Sequence, residues 1–192
     1  MTQTPLGPPV QMVEPFDARA VHALVQRCFE PLRGRIDPPS SAERLDEMTI
    51  RAHAAAGELW AMLDTGRPVG CIFLSRMPDS LYIAKLAVDG AFRGRGLARM
   101  LIDRAVDRAE MLGLPRLIAQ SRVELTEVHA MFEALGFRRI GTTSHPGYER
   151  PTSITFAREL ASRRAPRPLD GPGAVSKGPS KGAPKGVPRG AG

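Results

Sequence analysis

Apolar residues return at two different spacings along this chain, and the alternation between them lays out its elements. Residues 10–14 alternate apolar and polar over a short run, which predicts an opening strand. Asp17 stands ahead of Val21, Leu24, Val25, Cys28 and Phe29 at helical spacing, so a capped helix follows. Pro31, Pro38 and Pro39 then break the chain. A second helix is predicted from Ser40 or Ser41, through Leu45, Met48, Ile50 and the alanines at 54–56, to a stop at Gly57. Residues 59–63 and 69–74 read as a hairpin turning at Asp64-Thr65-Gly66, and residues 81–88 as a longer strand after the Pro78-Asp79 turn. Leu97, Met100, Leu101, Ala105, Val106 and Ala109 mark an amphipathic helix over 97–112, which Gly113 stops. A strand over 116–121, a helix over 126–135 closed by Gly136, and strands over 137–143 and 153–157 complete the series.

The predicted order is β-α-α-β-β-β-α-β-α-β-β. It describes an α/β domain, a single mixed central β-sheet flanked by helices on both faces. A solenoid and a helical bundle are excluded. The pattern reaches from residue 10 to residue 160, with a short flexible N-terminus over 1–9.

Beyond residue 160 the pattern stops. The last 32 of 192 residues are Arg, Pro, Gly, Ala, Ser and Lys apart from Asp170, Leu169 and two valines, with cations four apart at Lys177, Lys181, Lys185 and Arg189. Such a stretch buries too little surface to offset the ordering of its backbone, about 1–2 kcal/mol per residue, so a disordered basic tail is expected over 161–192. It also explains the charge. The chain's net +7 divides into +1 over residues 1–160 and +6 over the tail. Four spaced cations give only weak, salt-sensitive attraction, and no aromatic side chain is there to stack on bases, so nucleic-acid contact by the tail is disfavoured. No apolar run is long enough to span a membrane, and no basic-then-apolar leader opens the chain. Two cysteines, Cys28 and Cys71, make neither a disulfide scaffold nor a metal site and read as packed thiols. A reduced, cytoplasmic setting is the expectation that remains, with no membrane partner and no metal.

The informative segment lies between the long strand and the amphipathic helix. Arg93-Gly94-Arg95-Gly96 follows a short turn, and Leu97 and Ala98 open the helix. Glycines permit a turn that aims successive N–H groups at one point, where the positive end of the helix adds to them. Such a nest suits a diphosphate, and Arg93 and Arg95 could bond its oxygens. It is not a Walker A loop, which needs Lys-Ser/Thr after the last glycine. Nor is it the dinucleotide fingerprint, which needs three glycines in the first strand–turn–helix unit.

The run KLAVDGAFRGRGLARMLIDRA, with Arg93, Gly96 and Ala98 at the positions of the Arg/Gln-x-x-Gly-x-Gly/Ala pattern, resembles the acyl-coenzyme A segment of the GCN5-related N-acetyltransferase (GNAT) superfamily. The stretch VHAMFEALGFRRIG resembles the later family segment in which a helix ends in Leu-Gly-Phe and enters a strand. The resemblance covers residues 10–160 and is strongest at 86–106 and 128–141. It implies an acetyl-CoA site made by Arg93, Gly94, Arg95, Gly96, Leu97 and Ala98 around the pyrophosphate. It also implies a sheet splayed between the strand at 81–88 and the one at 116–121, with pantetheine pairing to backbone at Leu86 and Val88.

The activity it implies is transfer of an acetyl group to a primary amine by direct attack, without a covalent enzyme intermediate. A small-molecule amine is the leading acceptor. A protein N-terminus or lysine, and a non-catalytic acyl-CoA sensor, are the alternatives. Many relatives pair as homodimers, which leaves a homodimer open here. Two departures stand out. Phe132 occupies the place where much of the family has a proton-donating tyrosine, and Leu125 a place where asparagine is common. The remaining candidates are Glu124, at the open end of a splayed strand, and His145 and Tyr148, in a polar loop between the last two strands. His145 and Glu124 could act as bases and Tyr148 as an acid. His129, one turn before Phe132, reads as a satisfied helix histidine. The 31–39 segment, with Arg33, Arg35 and Asp37, is expected to roof the acceptor site.

Overall fold

A computed structural model describes residues 6–160 of the chain. The expected tail over 161–192, and the first five residues of the expected flexible N-terminus, lie outside the described residues. The elements are β1 (Val10–Gln11), α1 (Ala18–Phe29), α2 (Glu47–Ala55), β2 (Leu59–Asp64), β3 (Arg67–Arg76), β4 (Leu81–Val88), α3 (Leu97–Met111), β5 (Arg116–Arg122), α4 (Thr126–Ala134), β6 (Arg138–Thr143) and β7 (Ser153–Glu159). Short 3₁₀ turns occupy Glu30–Leu32, Ser41–Arg44 and Gly90–Phe92. The seven strands form one sheet in the order β1-β2-β3-β4-β5-β7-β6.

Alternation along the strands sends successive side chains to two separate cores. On one face Ile72 and Leu74 of β3 pack with Leu101, Ile102 and Ala105 of α3 and with Phe132 and Phe156. On the other face Cys71 and Phe73 meet Val21, Leu24 and Val25 of α1 and Ile50 of α2. The helices therefore cover both sides, as the pattern predicts.

Every neighbouring pair in the sheet is antiparallel except β4 and β5, which run parallel. That pair holds only at Leu81↔Leu117, Tyr82↔Ile118 and Ile83↔Ala119. On its other side β4 shifts register against β3 at the same point: Leu74 pairs with Ile83 and Phe73 with Lys85, leaving Ala84 as a bulge. A bulge adds a residue to one strand and bends it. β4 accordingly leaves β5 after Ile83 and runs on to Val88 with β3 alone.

Two element boundaries differ from the sequence pattern. The opening strand is only Val10–Gln11; beyond Met12, Val13 is 65% exposed and Pro15 has no N–H to offer a neighbour. The second helix is split. Ser40 caps only a 3₁₀ turn by accepting from Ala42 N, the chain extends at Leu45, and Asp46 restarts it by accepting from Thr49 N at 2.8 Å. The break lets Leu45 bury its side chain, while its carbonyl lies 3.0 Å from His22 Nε2 on α1.

Leu101 is fully buried, and its Cδ1 would lie 3.3 Å from a β-carbon on Gly70 of β3. The helix thus sits against bare backbone with no slack to refill a hole. Leu101→Ala should cost about 2–5 kcal/mol of unfolding free energy in urea titrations. A loss under about 1 kcal/mol would mean that α3 is not packed in this way.

Candidate active site

The parting of β4 from β5 opens a cavity of about 1000 Å³. Its floor is β4 from Tyr82 to Val88 on one side and Gln120, Ser121 and Arg122 of β5 on the other. Leu125, with Val128 and Phe132 of α4 after it, forms a wall, and the loop between α1 and α2 forms the roof.

One end is the glycine loop. Asp89 starts it by accepting from Ala91 N at 3.1 Å and from Arg27 Nη2 at 3.1 Å, which together hold its carboxyl below the usual range. Gly94 and Gly96 have φ of +74° and +80°, values that a side chain disfavours. A β-carbon at either would meet no atom within 4 Å, so both positions border open space. Whereas α1 and α2 are each capped by an aspartate side chain, α3 starts at Gly96 with none. Its first-turn N–H groups are therefore left for an anion. Leu86, Val88, Arg93, Gly94, Gly96, Leu97 and Ala98 all line the cavity, and Arg99 joins them. Arg95 does not; its guanidinium stacks on the Phe92 ring at 4.9 Å.

At the other end His145 lines the cavity, and its ring is held from two sides. Its Nδ1 lies 2.5 Å from Thr152 Oγ1, which itself donates to Thr143 O at 3.3 Å. Arg122 Nη1 lies against both ring nitrogens, 2.8 Å from Nδ1 and 2.6 Å from Nε2. Burial, and after it the Arg122 charge, lowers the His145 pKa, so the ring is neutral at pH 7. Arg122 further donates to Pro39 O at 3.0 Å and to Ser153 Oγ at 3.4 Å.

Glu124 and Tyr148 do not line the cavity. Tyr148 Oη donates to Asp37 Oδ1 at 2.5 Å, and Arg150 reaches Asp37 O at 3.1 Å and Glu124 Oε1 at 3.4 Å. These contacts join the β6–β7 loop to the α1–α2 loop at the His145 end of the molecule. The roof is held from below as well, where Gln26 Nε2 donates to Ala42 O at 2.8 Å.

His129 is buried, with Nε2 2.8 Å from Arg122 O, and fastens α4 to β5. Phe132 stacks with Phe137 and Phe156 at 5.2 and 5.4 Å, filling its place with carbon alone. Burial pushes up the thiols of Cys28 and Cys71, the reverse of an activated nucleophile. Sequence reasoning missed Tyr82, Lys85 and Arg44 in the cavity wall, and gave Arg122 no role. Burial raises the Tyr82 pKa, with Arg122 opposing it. Among the described residues no three His, Cys, Asp or Glu side chains gather as metal ligands, and no helix is long and apolar enough to cross a membrane.

This architecture has known counterparts. The acetyltransferase (GNAT) family profile matches residues 18–137, more than half of the chain. The N-acetylaspartate synthetase of Danio rerio is 28% identical over 86 residues, 44% of this chain and 30% of the relative. The N-alpha-acetyltransferase 30 of Saccharomyces cerevisiae is 30% identical over 78 residues, 38% of this chain and 44% of the relative. The chain thus spans less than half the length of either relative. Among solved structures, the PaiA N-acetyltransferase of Thermoplasma acidophilum in complex with coenzyme A superposes with a TM-score of 0.70. It shares 8% identity, over 82% of this chain and all of the other. The chain belongs to the GNAT acetyltransferase family.

The contact between Arg122 and His145 has a direct readout. In a proton NMR titration, His145 should show a midpoint below the ordinary value of about 6.5. Arg122→Met should raise that midpoint while leaving it below 6.5, because burial remains. A midpoint unmoved by the substitution would show that the guanidinium does not face Nε2.

Proposed function

We propose that this member of the GNAT family transfers the acetyl group of acetyl-CoA to the primary amine of a small molecule, by direct attack in a ternary complex. The observation that carries the choice of acceptor is the joined roof. A peptide needs an open groove between the α1–α2 loop and the β6–β7 loop. Here Tyr148 and Arg150 bond to Asp37, and Arg122 bonds to Pro39, across that groove. A closed cup fits a compact amine.

The chain's own groups then take these roles. The pyrophosphate sits on the N–H groups at the start of α3, beside Arg93 and Arg99. Pantetheine lies along β4 where β5 has left it, with backbone at Leu86 and Val88 beside it. Holding the thioester and amine together supplies most of the acceleration. An incoming ammonium displaces Arg122 Nη1 from His145 and gives its proton to Nε2. The attacking nitrogen is then neutral, and Arg122 keeps its bonds to Pro39 and Ser153.

Phe132 has no proton for the departing thiolate. The thiolate leaves instead toward the first turn of α4, whose N-terminal position, Leu125, offers no side-chain cap, and it takes the second proton, which the nitrogen sheds as the amide forms. Tyr148 and Glu124 act as positioning residues, the first holding Asp37 in the roof and the second holding Arg150. A non-catalytic sensor is the second reading, favoured by Phe132 alone.

Calorimetry on the full chain should show saturable acetyl-CoA binding. Gly96→Glu should weaken it at least tenfold, since it places a carboxylate in the nest and a side chain at φ +80°. With coenzyme bound, a thiol-release assay should show turnover on small primary amines and at least tenfold lower kcat/KM on peptide N-termini. His145→Gln should lower kcat by about 10²–10⁴ with coenzyme affinity retained. Peptides preferred over small amines would overturn the acceptor assignment. Tight binding with no turnover on any amine would establish the sensor.

A further inference from the structure

The acceptor end of the cavity is unevenly charged. Lys85 is the only lysine among residues 1–160, where arginine supplies every other cation, and it lines the cavity. It pairs with Phe73 directly after the bulge, and paired residues share a face. Phe73 belongs to the core under α1 and α2, so Lys85 lies on the roof side of β4, away from the α3 face. Arg44, from the 3₁₀ turn ahead of α2, lines the same cavity and acts on Lys85 as a like charge. Burial together with Arg44 holds the Lys85 ammonium below the ordinary lysine range. The ammonium therefore stands in an environment that disfavours its charge.

Nothing nearby relieves this. The two carboxylates of the cavity wall are already engaged: Glu43 lies 3.9 Å from Arg33, and Glu127 lies 2.7 Å from Arg35. Among the described residues, no carboxylate comes within ion-pair distance of Lys85, Arg44 or Arg122. Arg122 bonds instead to neutral groups, His145, Ser153 and Pro39. Lys85, half-buried beside the like charge of Arg44 and without a counter-ion, is costly to keep charged unless a ligand brings one.

We propose that the acceptor is an amine that also carries a carboxylate, and that Lys85 and Arg44 bind this carboxylate in the roof half of the cavity while the amine points toward His145. The inference rests on the small-amine reading given above. Its chemistry follows from the charge: an ammonium and a guanidinium together recognise a carboxylate strongly, and they repel polyamines and other cationic acceptors.

Matched acceptors test it in the thiol-release assay: glycine beside glycinamide, β-alanine beside β-alaninamide, and glutamate beside glutamine amide. The full chain should favour the acid of a pair at least tenfold in kcat/KM. Lys85→Met should remove most of that preference through KM, with the acid losing at least tenfold more than the amide, and Lys85→Arg should restore it. Arg44→Ala, on an exposed turn, should shift the ratio the same way. Coenzyme A titrations on each variant report whether the fold and the donor site survive. Amides equal to or better than acids with the unaltered chain would overturn the inference and leave the small-amine reading standing. So would equal losses on both acceptors in Lys85→Met. Coenzyme binding with no turnover on any small amine would instead overturn the small-amine reading, and this inference with it.

Discussion

Everything in this site depends on the short parallel pairing of β4 with β5. Three register pairs hold the strands together, and at Ala84 an extra residue on β4 ends the arrangement. Backbone groups in a sheet interior normally find partners. From Ala84 onward the β5 side of β4 is bounded by a cavity in place of a strand. The divergence also aims the end of β4 at the glycine loop and the end of β5 at the acceptor loops. One irregularity of register thus separates the glycine-loop end, where we propose the donor, from the His145 end, where we propose the acceptor.

The two ends are organised by different physics. The donor end is backbone: positive-φ glycines and an uncapped helix start, which any chain with this loop would reproduce. The acceptor end is side-chain chemistry assembled from distant segments. Arg122 from β5, His145 and Thr152 from the β6–β7 loop, and Pro39 from the α1–α2 loop meet there through hydrogen bonds.

That division also decides what the sequence could show. Local signals sufficed for the shape of the glycine loop, because Gly94 and Gly96 take the positive-φ turn that they themselves make possible. They sufficed for the layers of the fold as well, since Val21, Leu24 and Val25, and Leu101, Ile102 and Ala105, repeat with the helical period. They failed at the second helix, where Asp46 offers a better cap than Ser40 and burial of Leu45 breaks the run. They failed more widely at the acceptor end. Tyr82 and Lys85 look like ordinary strand residues until the bulge and the missing neighbour expose them. The signal available was rarity: Tyr82 is one of two tyrosines in the chain, and Lys85 is the lone lysine before the tail. Arg122 carried no such mark. Its role comes from segments 23, 31 and 83 residues away.

The most direct test of the account is hydrogen–deuterium exchange of the full chain with and without coenzyme A. If the ligand fills the split between β4 and β5, amides over residues 84–99 should slow, covering the end of β4 and the start of α3, while those of β6 change little. Coenzyme binding that protects some other surface, or leaves residues 84–99 exchanging as before, would contradict the placement on which every later step depends.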